Sequence, residues 1–125
     1  MTRFALTLAA LALLATGCGD DGEPVRTVTA PANATLRVVA TEYDFDPAAI
    51  VVSGAGRSRL TLRNEGSLAH NLRLFRDGRD VGGTPTFPGG RTGTGLLIVE
   101  HGNYRMVCTV GDHEELGMTG TLRVR

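Results

Sequence analysis

From Thr35 onward the chain is written in period two. Leu36, Val38 and Ala40 alternate with Arg37, Val39 and Thr41, and Leu60 and Leu62 alternate with Thr61 and Arg63. The same rhythm returns in Leu72-Arg73-Leu74, in Tyr104 to Cys108 and in Thr121 to Val124. Successive strand side chains point to opposite faces, so this period sends one set to a core and the other to water. The 17 glycines fall largely between the segments, as in Gly54-Ala55-Gly56, Gly82-Gly83 and Gly89-Gly90, where turns need them. No window carries a helical period. Short strands punctuated in this way predict an all-β sandwich or barrel.

The first part of the chain has another texture. Arg3 precedes an apolar run from Phe4 to Ala15, which is short of the roughly 20 residues a spanning helix needs. Residues 1–17 therefore read as a secretory signal peptide. The run ends in Leu14-Ala15-Thr16-Gly17-Cys18, which resembles a bacterial lipobox, although Ala15 stands where that pattern prefers Leu. The resemblance implies lipidation at Cys18 and a membrane anchor. Residues 18–34 are small, polar and Pro-containing and read as a lipidated N-terminus with a flexible tether. A first strand at Val25–Thr29 is the alternative for that segment. Residues 35–125 are then the folded domain.

The chemistry concentrates near the C-terminus. Cys108-Thr109-Val110-Gly111-Asp112-His113-Glu114-Glu115-Leu116-Gly117-Met118 carries a thiol, an imidazole and a thioether at regular spacing. A second imidazole, His70, lies upstream beside Asn71. Alternation puts Cys108 on one face with Tyr104 and Met106, and His70 on one face with Leu72 and Leu74. Both therefore point inward. Two His, one Cys and one Met make the donor set of a blue-copper electron-transfer centre. Soft sulfur suits Cu(I), and imidazole suits both oxidation states.

At these residues the sequence resembles the cupredoxins, the family of plastocyanin and azurin. The resemblance runs from about Thr35 to Val124. Thr41-Glu42-Tyr43-Asp44-Phe45-Asp46-Pro47 followed by Ile50-Val51-Val52 is similar to the first hairpin of small bacterial members. Asn64 to Asn71 resembles the turn that leads to the first His ligand, and Gly102 to Cys108 resembles the strand that delivers the Cys. The resemblance implies a Greek-key sandwich of about seven to eight strands. It also implies one copper ion, with His70, Cys108 and His113 as equatorial ligands and Met118 as the axial one. Asn71 is expected to hydrogen-bond near the Cys108 sulfur. The loop between Cys108 and His113 is longer than in plastocyanin-like proteins, and Asp112, Glu114 and Glu115 make it acidic. The axial position stays open between Met118 and one of these acids. His101 has no place in the pattern and reads as a surface residue.

Lys+Arg and Asp+Glu are both 13, so a nucleic-acid partner has no electrostatic support. An enzyme is not expected, because multicopper oxidases and copper nitrite reductases need more domains and more histidines than the three present. The expected protein is a monomeric, membrane-tethered carrier of single electrons in the bacterial cell envelope. The acidic loop suggests a redox partner with a basic docking surface. A copper-delivery lipoprotein and a metal-free structural domain on the same fold are the alternatives.

Overall fold

The computed structural model describes residues 22–125. Among them ten strands form and no helix. They are β1 (Thr27–Pro31), β2 (Thr35–Thr41), β3 (Asp44–Asp46), β4 (Ala49–Ser53) and β5 (Gly56–Asn64), then β6 (Arg73–Arg76), β7 (Arg79–Gly83), β8 (Thr92–Val99), β9 (Gly102–Val107) and β10 (Thr119–Val124). One sheet runs β1-β4-β10-β9-β6-β7 and the other β3-β2-β5-β8. Both are mixed, with β1/β4, β4/β10 and β2/β5 parallel.

The period-two segments behave as their pattern requires. Along β5, Ser58, Leu60, Leu62 and Asn64 are buried, while Arg57, Arg59 and Arg63 face out. The inward sets of the two sheets meet in one cluster. Leu36, Val38, Phe45, Leu60, Leu62 and Leu97 come from the smaller sheet, and Ile50, Val52, Leu74, Tyr104, Met106 and Leu122 from the larger. Burial of these side chains is the main force closing the sandwich.

Two expectations change. Ten strands replace the seven or eight expected, the surplus coming from short or edge elements such as β1, β3 and β7. The tether assigned to residues 18–34 also gives up Thr27–Pro31 to β1, which pairs in parallel with β4 from Thr27↔Ala49 to Pro31↔Ser53. This strand is hard to see in sequence because it buries its residues only halfway. It ends in Pro31, which lacks a ladder donor and is tolerated because β1 is an edge. Arg26 ties its start to Asp46 through two 3.0 Å contacts. The signal peptide, and lipidation at Cys18, lie outside the described residues.

The connection that matters most joins β9 to β10. These strands are antiparallel neighbours with Val107 opposite Thr119. The chain from Cys108 to Met118 is therefore a hairpin loop at one end of the larger sheet, and its first and last residues start side by side.

Candidate metal centre

Cys108 leaves β9 fully buried, and its amide donates to the Met118 carbonyl at 3.1 Å. Between them the loop is a chain of tight turns. The His113 amide donates to Val110 O at 3.0 Å, and the Met118 amide to His113 O at 2.9 Å. Gly111 (φ 49°) and Gly117 (φ 101°) take the left-handed conformations at either end of the turn, where a side chain would cost strain. The loop thus folds back and places His113 under the sheet end, 7% exposed.

His70 arrives from another part of the chain. It sits between β5 and β6 and forms an isolated bridge with Phe87, each amide donating to the other's carbonyl at 3.1 Å. Its ring is fully buried. His70 Nδ1 lies 3.2 Å from His113 Nδ1 and 3.9 Å from Cys108 Sγ, and His113 Nδ1 lies 3.5 Å from the same sulfur. Two ring nitrogens and one thiol therefore converge on one point. Their donor atoms lie within 4.8 Å of one another, and no carboxylate joins the group among the described residues.

These separations test whether one ion fits. Metal–nitrogen bonds of about 2.0–2.1 Å and a metal–sulfur bond of about 2.3 Å span such distances at angles between roughly 100° and 130°. No rearrangement of the fold is needed to bring the three atoms around a common centre. Burial holds the His70 pKa below its ordinary value; the nearby Glu42 opposes this, while His113 adds to it. A neutral imidazole is the form that binds metal.

Met118 is fully buried at the base of the loop, with its backbone bonded to both Cys108 and His113. The acidic residues point the other way. Asp112 and Glu115 are exposed, and Glu114 is held 2.6 Å from Arg105 on the surface.

Asn71 lies beside the centre and makes three hydrogen bonds. Its amide nitrogen donates to Thr86 Oγ1 at 2.9 Å and to Thr109 Oγ1 at 2.8 Å, and its oxygen accepts from the Thr109 amide at 2.9 Å. It grips the residue next to Cys108 rather than the sulfur. The reason is geometric: Thr109 is the first residue past the buried thiol and beyond the end of β9, so its part-buried amide pairs with the Asn71 oxygen in place of a strand partner. His101 is exposed, as expected.

No family model and no curated relative matches this sequence. Solved structures do match it. Auracyanin B superposes with a TM-score of 0.69 at 20% identity, over 75% of this chain and 90% of that one. Reduced auracyanin from the photosynthetic bacterium Roseiflexus castenholzii gives 0.68 at 18% identity, over 75% and 98%. Auracyanin A, described as a "blue" copper protein from the green thermophilic photosynthetic bacterium Chloroflexus aurantiacus, gives 0.65 at 20% identity, over 77% and 100%. The fold is cupredoxin-like.

Two neighbours of the centre escaped the sequence reading of this cupredoxin-like domain. Tyr43, with φ at 64°, packs its ring edge-on to His113, with centroids 5.2 Å apart. Glu42 Oε1 accepts from the Ser67 amide at 2.7 Å and the Leu68 amide at 3.0 Å, and stands 3.5 Å from His70 Nε2. That separation is an electrostatic approach and not a made hydrogen bond, since Nε2 has no hydrogen-bond partner among the described residues. Leaving a buried polar group unmet costs about 1–3 kcal/mol, so the approach matters. Both residues were visible only as part of a hairpin motif, because their partners lie far along the chain.

Proposed function

We propose that this protein is a blue-copper electron carrier. The observation that carries the reading is the meeting of His70 Nδ1, His113 Nδ1 and Cys108 Sγ at one buried point on a rigid sandwich. His70, Cys108 and His113 would hold the ion, with Met118 as the weak fourth donor. Copper bound there would supply a one-electron couple between Cu(I) and Cu(II). The protein's own part is to exclude water and to fix the three donors before the ion arrives, so that the site need not rearrange between states. The auracyanin likeness in fold supports this reading, and so does the burial of the donors, which suits holding an ion more than handing it on. No substrate is transformed on this reading.

The decisive experiment is addition of Cu(II) to purified protein. One ion per chain should bind and give an intense visible thiolate-to-copper band. Cys108→Ser should abolish the band and leave the β-sheet circular dichroism unchanged. A strong band surviving in that variant would remove the assignment.

The proposal extends to place and partner. Residues 1–17 would direct export, and lipid on Cys18 would hold the monomer at a membrane surface of the cell envelope. Cys18→Ser should move the protein from the membrane fraction to the soluble fraction in a bacterial host. A wild-type protein already soluble after signal removal would end the anchor idea. Electrons would pass at the edge carrying His113, next to the exposed Leu116, to a redox protein whose surface is basic where it meets Asp112 and Glu115.

A further inference from the structure

We propose that Glu42 is a positioning residue for His70, and that its carboxylate lowers the potential of the copper couple. The inference rests on the copper reading above.

The two nitrogens of His70 face different groups. Nδ1 turns toward Cys108 and His113, so only Nε2 is left to fix the ring. Nε2 is buried, and Glu42 Oε1 stands 3.5 Å from it. A histidine ligand that offers its second N–H to a carboxylate is held in one tautomer and one orientation, and becomes a stronger donor. With the proton on Nε2, the Nδ1 lone pair is free to face the other two donors. Glu42 is itself held in place. The Leu68 and Ser67 amides both donate to its Oε1, and these bonds, chiefly that from Leu68, hold its carboxyl below the usual carboxylate range.

Gly66 completes the arrangement. A Cβ added there would run into the Glu42 carboxylate. The absence of a side chain at position 66 leaves room for the carboxylate to lie across the Ser67-Leu68 turn and reach the ring. Gly66 belongs to the turn before His70, and the structure gives it this second task.

A negative charge at the far side of a ligand favours the higher-charged metal state, so Glu42 stabilises Cu(II) over Cu(I). Two substitutions separate this role from a merely structural one. Glu42→Gln keeps an oxygen for the Ser67 and Leu68 amides but removes the charge. Gly66→Ala keeps the charge but displaces it, and Gly66 is not among the left-handed glycines, so the backbone accepts Ala.

Voltammetry of the copper-loaded proteins is the main readout. Both variants should keep the visible band. Both should also raise the potential, with Glu42→Gln shifting the ratio of oxidised to reduced protein about tenfold at a fixed solution potential, or about 59 mV for one electron. A purely structural clamp would leave the Glu42→Gln potential at the wild-type value, and that result overturns the proposal. The second readout needs no copper. Nitrogen-15 spectra of the imidazoles in the metal-free protein should show His70 carrying its proton on Nε2. A His70 with its proton on Nδ1 would overturn the positioning role. A wild-type protein that gives no copper band would instead overturn the function proposed above, and the tautomer would still decide whether Glu42 holds the ring.

Discussion

The centre has two walls, and they are built in different ways. One is the loop from Cys108 to Met118, which beyond Thr109 is closed by local backbone bonds: His113 to Val110, Leu116 to Asp112, Met118 to His113. The other is the His70 segment, which is held from a distance. Phe87 brackets its backbone, Glu42 reaches its ring, and Asn71 beside it grips Thr109, which is 38 positions away. A loop that satisfies itself can be reshaped without disturbing the sandwich. A wall made of the sandwich cannot. The loop is thus the part free to set the properties of the ion, and the His70 wall is the part that fixes where the ion goes.

The sharpest way to break this contrast is to cut a side chain in each wall. Leu72 is fully buried two positions after His70, and Leu116 is half exposed in the loop. Leu72→Ala should destabilise the metal-free protein by about 2–5 kcal/mol. Leu116→Ala should stay within about 0.5 kcal/mol. Denaturant unfolding of both variants measures the gap, and equal losses would mean that the loop is part of the core after all.

Met118 belongs to the loop wall by sequence and to the core by burial, so it sharpens the comparison. Met118→Leu conserves volume and should cost less than about 1.5 kcal/mol. The copper-loaded variant should remain strongly coloured, with a higher potential, because Cu(II) loses more than Cu(I) when a donor is removed. A potential unmoved in this variant would strike Met118 from the ligand set and make it a packing residue.

The smallest effect concerns the rim. Glu114→Gln with Glu115→Gln should change stability by less than about 1 kcal/mol, since the Arg105–Glu114 pair is exposed to solvent. It should still slow encounter with a basic redox partner at low salt and flatten the salt dependence of the rate. Stopped-flow electron transfer measures this, and an unchanged slope would place docking elsewhere on the surface.

These two walls were not equally legible. The loop could be read in one dimension, because its donors are a few residues apart and strand alternation already turned Cys108 inward. His70 could be read for the same reason, through Leu72 and Leu74. What surrounds His70 could not. Glu42 acts on Ser67 and Leu68 from 25 and 26 positions away, a distance closed by the parallel pairing of β2 with β5, which no local pattern announces. Asn71 could be placed near Cys108, but its partner atoms could not, since a polar side chain shows its position in the sequence and not which neighbour it will satisfy. The core strands were plain because one face is buried throughout. β1 is hard to see in the sequence because its residues are only half covered, so their polarity carries little of the alternation that marks an inner strand.

That first strand also sets a length. With a tether of residues 18–34, seventeen residues could span at most about 60 Å; with β1 starting at Thr27, only nine, Cys18 to Arg26, precede the sheet, or at most about 30 Å. Were Cys18 lipidated as proposed, the domain's greatest reach from the membrane would be roughly halved, and the volume within that reach would be about sevenfold smaller. A soluble shuttle would gain little from such confinement. A partner fixed in the same membrane would meet the domain far more often, at a height that the leash itself selects.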